Sequence, residues 1–206
     1  MPDLVDDLES SVSAAPAALL EVADKDWDVP AAGLTWTCRG TVEHVADDLF
    51  AYAGQIATSE PEVTTYVPFD FFAEREGEPE CAVHAKRDRG NAGLVQVLDA
   101  CGGMLSALAR TRPADARGWH PYGVSDPHGF AAMRTVEVLL HLHDVSTPLG
   151  FAWDPDPDVV RRALGRLFPD APSEGDPWQV LLQATGRDPG TPLDDWQWDG
   201  SVRETA

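Results

Sequence analysis

The chain has 206 residues, of which 43% are hydrophobic, and it carries 15 lysines and arginines against 35 aspartates and glutamates. Its length predicts one domain rather than two, and its apolar content excludes a disordered acidic chain. The formal net charge of −20 excludes nucleic acid and anionic membranes as expected partners, because binding to either depends on clustered cations.

Three further features predict a cytoplasmic protein without membrane contact. No apolar run approaches the ~20 residues that span a bilayer. The first residues, MPDLVDDLESSV, are acidic and lack the basic and apolar parts of a signal peptide. The widely spaced Cys38, Cys81 and Cys101 indicate reduced, buried thiols rather than a disulfide framework or a cysteine-type zinc motif.

The apolar pattern predicts an all-α protein that begins with two helices. Residues 3–23 carry leucines and valines at helical spacing, and Pro16 is a position for a bend. The second helix is predicted from Thr37, a residue type favoured as an N-cap, to about Thr58. Its apolar stripe consists of Val42, Val45, Leu49, Tyr52 and Ile56.

Residues 59–90 form a long, mixed connection, which predicts a crossover between helices 2 and 3 of a four-helix bundle. The third helix is predicted over residues 91–110. The fourth is predicted over residues 130–145 and ends before Pro148 and Gly150.

The last part of the chain predicts a short helical tail. Two helices are expected over residues 157–167 and 177–185, each beginning at a proline. The closing segment, LDDWQWDG, places Trp196 and Trp198 on one side of an extended stretch, which predicts a strand or an arm packed on the bundle.

The predicted fourth helix carries a carboxylate and an imidazole one turn apart. Glu137 and His141 project from the face that also bears Met133 and Leu140, whereas His143 points to the other side. A charge on an apolar face needs a partner or a metal ion. An isolated E-x-x-x-H pair is nevertheless more typical of a solvated helix surface, so the pair alone does not predict a metal site.

His44, on the second helix, is the third candidate ligand, flanked by Val42 and Val45. Taken alone, it is better interpreted as a half-buried histidine bonded to a neighbour. Two histidines and one glutamate from two helices would form a site with open positions, as in catalytic zinc sites. Asp47 and Asp48 follow one turn later and predict a solvated acidic face, with Asp48 alternatively facing the metal pocket.

Five segments carry a family resemblance: LTWTCRGTVEHVADDL, ARGWHPYG, AMRTVEVLLHLHDVSTPLG, RRALGRLFPDAP and LLQATGR. They resemble the DinB-like group of mycothiol-dependent maleylpyruvate isomerases, more narrowly its metal-binding domain. The resemblance implies a DinB-like four-helix bundle with His44, Glu137 and His141 as metal ligands. It also matches Trp36 to the tryptophan before the ligand helix and Asp144 to the aspartate after the ligand pair.

The resemblance further implies zinc, or nickel or another divalent ion, and a thiol such as mycothiol as cosubstrate. It covers the metal-binding domain without the additional C-terminal domain that the full isomerases carry. The predicted organisation is a metal-binding bundle over residues 1–150 and a C-terminal helical extension over residues 151–206, within one domain.

The resulting hypothesis is a metal-dependent enzyme that uses a bound thiol for S-transfer to, or isomerisation of, a small electrophile. The alternatives are a metal-dependent hydrolase and a non-catalytic bundle that binds a metal or a ligand. The expected partners are the electrophile and the thiol, and a homodimer is an open alternative.

Three further residues are candidates for catalysis. Asp144 would orient a ligand histidine, or else bond locally within the last helical turn. Arg134 would bind an anionic substrate group, or else form an ion pair on the bundle. His120 would lie at the mouth of the site, or else be a loop histidine beside Trp119.

Overall fold

The computed structural model describes residues 3–188 and 196–202, and over these residues it contains six α-helices and no strand. The helices are α1 (Leu4–Leu20), α2 (Cys38–Ala57), α3 (Gly90–Thr111), α4 (Pro127–Leu149), α5 (Pro157–Leu167) and α6 (Pro177–Ala184). A single 3-10 turn, Arg87–Arg89, leads into α3. The predicted all-α class is confirmed.

The first four helices form a bundle around one apolar core. Both α1 and α2 pack against α3 and α4, whereas α5 packs on α4 and α6 packs on α5. The core contains fully buried leucines from all four helices: Leu8, Leu49, Leu98 and Leu140. Each buried leucine contributes about 1.5–3 kcal/mol to folding. Cys38, Cys81 and Cys101 are buried and unpaired, as predicted.

The helices begin where a side chain accepts the free backbone N–H groups of the first turn. Thr37 accepts from Gly40 at the start of α2, which confirms the predicted N-cap. Asp126 accepts from Gly129 at the start of α4, where Pro127 occupies the first helical position. These capping bonds define where α2 and α4, the helices that carry the candidate ligands, begin.

α4 continues past Pro148 to Leu149, so the predicted end at residue 145 is wrong. A proline lacks the N–H that would bond to the carbonyl of residue i−4, here Asp144. That carbonyl instead accepts the backbone N–H of Ala32 at 2.8 Å. Because the loop before α2 supplies the missing donor, the helix tolerates the proline and ends at Gly150, which has φ +68°.

The predicted crossover between α2 and α3 is confirmed, and two carboxylates of α2 hold its returning part. Asp47 accepts the backbone N–H groups of Ala82 and Val83 at 2.7 and 2.9 Å. Glu43 accepts that of Ala85 at 2.9 Å. Asp47 is only 1% exposed, so the prediction of a solvated face is wrong for this residue, because the crossover folds back over it.

One helical stretch, residues 87–111, is long and apolar enough to cross a membrane by length and composition. This differs from the expectation that no segment approaches such a length. Core helices of globular proteins have the same properties, and this helix places Leu94, Leu98 and Leu105 in the bundle core.

The tail helices are present as predicted, and the described part of the closing segment forms an arm rather than a strand. The Asp199 N–H donates to the Leu167 carbonyl at 2.8 Å, and the Gly200 N–H donates to the Tyr122 carbonyl at 2.7 Å. Trp198 is thereby buried against the bundle. The first residues of that segment, 193–195, lie outside the described residues.

Candidate metal centre

The three predicted metal ligands meet where α2 packs against α4. The ligand atoms of His44, Glu137 and His141 all lie within 4.8 Å of one another. His141 Nε2 is 3.0 Å from Glu137 Oε2. The rings of His44 and His141 have centroids 5.3 Å apart and are nearly perpendicular, at 82°. The structure brings these residues together, and their role as ligands stays a prediction.

Local helix geometry and one aromatic side chain arrange these ligands. Residues four apart on a helix share a face, so Glu137 and His141 point the same way from α4. Trp36 lies immediately before α2, with its ring 4.9 Å from that of His44 and 6.3 Å from that of His141. The tryptophan therefore packs against both candidate imidazole ligands.

A buried carboxylate fixes the orientation of His141. Its Nδ1 lies 3.1 Å from Asp144 Oδ2, which leaves Nε2 facing the site. The Arg187 guanidinium donates two hydrogen bonds to the Asp144 carboxylate, from Nε at 2.9 Å and from Nη2 at 2.8 Å. Such a partner fixes the ring and raises the basicity of a ligand histidine. Arg187 ends the segment LLQATGR, which is part of the family resemblance, but no local pattern identifies its partner 43 residues away.

The ionisation of the site depends on burial and on neighbouring charges. Burial, together with the nearby His141, lowers the pKa of His44 to about 3 and keeps this ring neutral. Burial opposes ionisation of Glu137, but the hydrogen bond from His141 and the charge of Arg134 lower its pKa. Burial also opposes protonation of His141, yet its bonds to Asp144 and Glu137 raise its pKa. A divalent ion would take the place of the proton between Glu137 and His141.

Arg134 is fully buried and forms ion pairs within the bundle. Its Nη1 lies 2.6 Å from Asp48 Oδ2 and its Nη2 lies 3.7 Å from Glu137 Oε2. Burial lowers the pKa of Arg134 only to about 10, so it stays charged. This placement favours the predicted alternative of an ion pair over direct binding of an anion.

Asp48 faces the site, which is the second of its two predicted placements, rather than the solvated face. One oxygen lies 3.3 Å from His44 Nε2, and the same oxygen pairs with Arg134. The residue is four positions after His44, and this spacing is the sequence signal for its placement beside His44.

A cavity of about 480 Å³ opens beside the candidate ligands. Two other cavities, of about 300 and 220 Å³, lie away from them. Among the described residues, no lysine or arginine lines the large cavity. Its lining consists of His44, Asp48, Ala51, Tyr52, Tyr66, Phe71, Glu80, His120, Pro121, Tyr122, Glu137 and Trp198.

His120 lines this cavity and is 5% exposed. Its Nε2 lies 2.8 Å from the Tyr52 hydroxyl oxygen, and its Nδ1 accepts the backbone N–H of Tyr122 at 3.1 Å. The ring of Trp198, from the C-terminal arm, lies 5.5 Å away. His120 therefore lies beside the candidate metal site, as predicted for a residue at the mouth of the site. Its catalytic role stays a prediction.

Glu43, Glu74 and His84 form a second group whose possible ligand atoms lie close together. Here the carboxylates already have cationic or N–H partners. Arg87 donates to Glu74 at 3.1 Å, and the Ala85 N–H donates to Glu43 at 2.9 Å. This group is accounted for without an ion.

The residues of the first group fit a divalent ion by their chemistry. Two imidazole nitrogens and one carboxylate oxygen are the protein ligands of many catalytic zinc sites. Zinc ligands about 2.0–2.2 Å from the ion lie roughly 3–3.6 Å apart, so separations of up to 4.8 Å need only small side-chain rotations. The neutral His44 and the anchored His141 suit that role.

Comparison with known proteins gives one family. Residues 8–146 match the family model described as the mycothiol maleylpyruvate isomerase N-terminal domain. The match covers more than half of the chain and includes the candidate ligands and Asp144, whereas Arg187 and Trp198 lie beyond it. No curated protein and no solved structure is significantly similar to the chain.

Proposed function

The chain belongs to the family of mycothiol maleylpyruvate isomerase N-terminal domains, and we propose that it is a divalent-metal-dependent enzyme with a mycothiol-like thiol as cosubstrate. One observation carries this proposal. The ligand atoms of His44, Glu137 and His141 converge within 4.8 Å beside a cavity of about 480 Å³. A cavity of this size holds a small molecule next to the ligands.

Zinc is the ion that we propose for this site, with nickel or another divalent ion as alternatives. Three protein ligands leave a further coordination position for a small molecule, which is typical of catalytic zinc sites. A divalent ion bound there would supply the charge that makes the thiolate the stable form of a thiol near neutral pH.

The chain's own residues position the candidate ligands and form the wall of the cavity. Asp144 and Arg187 hold His141 in one orientation, and Arg134 balances the charges of Asp48 and Glu137. The aromatic wall of the cavity suits the apolar part of an electrophile and excludes water from it.

We propose S-transfer or isomerisation as the reaction class. In S-transfer, the thiol sulfur forms a bond to a carbon atom of the electrophile, and a leaving group departs with its electron pair. In isomerisation, the sulfur adds to an unsaturated carbon, the adjacent bond rotates, and elimination returns the thiol. A hydrolase would use water in place of the thiol.

The first part of the test measures metal content. The purified protein is expected to hold about one equivalent of divalent metal, and His141→Ala is expected to lose it. His143→Ala is the matched control, since this histidine of α4 packs against Trp178 instead of facing the site. Unchanged metal content and affinity in His141→Ala would contradict the site assignment.

The second part measures thiol consumption for S-transfer and conversion of the electrophile for isomerisation, because isomerisation returns the thiol. Mycothiol and a panel of small electrophiles are incubated with metal-loaded protein, chelated protein and the two variants. Turnover is expected only with the metal-loaded wild type and His143→Ala. Metal binding without thiol-dependent turnover would favour the non-catalytic bundle, whereas turnover without thiol would favour the hydrolase.

The cellular setting is part of the same proposal. We propose a cytoplasmic protein whose partners are the electrophile and the thiol, with the net charge of −20 opposing nucleic acid and anionic lipid. A homodimer is the oligomeric alternative, and light scattering of the purified protein distinguishes it from a monomer.

A further inference from the structure

The cavity contains a pair of hydrogen-bonded side chains that the metal site does not use. Tyr52 on α2 and His120 in the loop before α4 both line it, and each is 5% exposed. The Tyr52 hydroxyl oxygen lies 2.8 Å from His120 Nε2. Among the described residues, this nitrogen is the hydroxyl's one hydrogen-bond partner.

The surrounding bonds determine the direction of this hydrogen bond. The backbone N–H of Tyr122 donates to His120 Nδ1 at 3.1 Å, so this nitrogen carries no proton. Burial lowers the pKa of His120 to about 4, so the ring is neutral near pH 7. Its single proton therefore lies on Nε2 and is donated to the Tyr52 oxygen, which leaves the tyrosine's own O–H without a protein acceptor.

The Tyr52 ring is also held in place. The Arg134 guanidinium lies 4.6 Å from its centroid, and the Phe130 ring packs edge-on at 5.4 Å. Burial raises the pKa of Tyr52, so the hydroxyl keeps its proton near pH 7. The side chain thus offers a fixed, protonated donor at the wall of the cavity.

The charges of the residues that line the cavity indicate which substrate group would accept the hydrogen bond of Tyr52. The ionisable acidic residues at the wall are Asp48, Glu80 and Glu137, and no lysine or arginine lines the described cavity. A substrate carboxylate would find no cationic side chain there, whereas a carbonyl oxygen needs only a hydrogen-bond donor. Resting on the proposed function, we propose that Tyr52, oriented by His120, donates its hydrogen bond to the carbonyl oxygen of an uncharged electrophile.

The donor acts where charge develops during addition. The sulfur of the thiolate forms a bond to the β-carbon of an unsaturated carbonyl compound, and the electron pair of the C=C bond shifts onto the carbonyl oxygen. Tyr52 keeps its proton and donates a hydrogen bond to that oxygen, a bond that strengthens as the negative charge grows. In S-transfer, the proton that the thiol lost on ionisation returns to the α-carbon and gives the adduct. In isomerisation, elimination reverses the shift and releases the thiolate. Neither course involves net oxidation or reduction. Tyr52 is therefore a catalytic residue in this proposal and His120 is a positioning residue.

The test is a binding cycle, in which the affinities of two probes are compared in two proteins, on zinc-loaded protein without thiol. Acetophenone, which has a carbonyl oxygen, is compared with ethylbenzene, which has the same shape without it, in wild type and in Tyr52→Phe. The carbonyl is expected to improve binding about tenfold in the wild type and to give no advantage in the variant. Ethylbenzene binding is expected to be equal in both, because the phenyl ring remains.

Equal losses for both probes, or no loss for either, would overturn the role of Tyr52 and indicate packing alone. Absence of acetophenone binding to the wild type would overturn it as well. In protein freed of metal by a chelator, the 4-acetylbenzoate anion is expected to bind at least tenfold more weakly than acetophenone, because the acidic wall has no cationic side chain to offset its charge. Tighter binding there would overturn the uncharged class.

A kinetic readout separates this inference from the function on which it rests. With mycothiol and trans-4-phenyl-3-buten-2-one, Tyr52→Phe is expected to lower kcat about 10- to 100-fold and to change KM less. If the wild type neither consumes thiol nor converts the electrophile, the proposed function fails while the binding cycle still decides the role of Tyr52. If the wild type turns over and the variant matches it, the catalytic role of Tyr52 is wrong.

Discussion

At the scale of single residues, a buried carboxylate links the candidate ligand His141 to a distant guanidinium. Asp144 and Arg187 are 3% and 5% exposed, so the pair is screened little by solvent. The E-x-x-x-H-x-x-D spacing predicts that Asp144 lies beside the ligand histidine. No local pattern predicts Arg187, because its contact depends on how the tail packs.

Arg187→Met removes one partner of this buried carboxylate. We expect zinc affinity to fall about 10- to 100-fold, because Asp144 would no longer hold His141 in one orientation. The free energy of unfolding is expected to fall by about 3 kcal/mol, since the carboxylate stays buried with less compensation. Competition with a fluorescent chelator and urea unfolding measure the two effects.

Arg161→Met is the matched control for this variant. Arg161 pairs with Asp158 on the surface, where the two side chains are 56% and 69% exposed. Its loss is expected to cost less than about 1 kcal/mol and to leave zinc affinity unchanged. Equal effects in both variants would mean that Arg187 does not act through Asp144.

At the scale of the helices and their connections, the crossover after α2 is held by carboxylates of that helix. The helix itself is predictable, because its apolar stripe repeats at helical spacing. The role of the acidic residues of α2 is not predictable. A carboxylate that accepts hydrogen bonds from the N–H groups of a returning loop has the same sequence pattern as a solvated carboxylate.

Asp47→Ala leaves the N–H groups of Ala82 and Val83 without their acceptor. We expect the free energy of unfolding to fall by about 2–4 kcal/mol, because each buried unpaired N–H costs about 1–3 kcal/mol. Asp99→Ala, on an exposed part of α3, is the control and is expected to change stability by less than about 0.5 kcal/mol. If urea unfolding shows an equally small change in the free energy of unfolding for Asp47→Ala, the crossover does not depend on the Asp47 carboxylate.

At the scale of the whole molecule, burial of histidine makes stability depend on pH. His120 has a pKa of about 4 in the folded chain, below the ordinary value of 6.5. Between these values the unfolded chain binds a proton that the folded chain does not, so stability falls as pH falls from about 6.5 to 4.

His120→Gln removes this contribution. With chelator present, the wild type is expected to lose roughly 3 kcal/mol more than the variant between pH 7.5 and pH 4, from the shift of the His120 pKa. Above pH 7 the difference between the two proteins is expected to be constant, which is the internal control. Parallel stability curves over the whole range would contradict the proposed neutral state of His120.

The sequence by itself determines the existence of the helices, the N-cap of α2 and the placement of Glu137 and His141 on one face of α4. These features depend on residues within one or two turns, and helical spacing encodes them directly. Family resemblance adds His44 as the third candidate ligand, and the tertiary structure places it beside the other two.

Only the tertiary structure decides how distant groups combine. α4 continues through Pro148 because the Ala32 N–H donates to the Asp144 carbonyl. Asp48 faces the site beside His44. Tyr52 and His120 form a hydrogen bond although they are 68 residues apart. Each of these depends on where two separate segments pack, and the desolvation of a polar group is set by that packing rather than by its sequence neighbours.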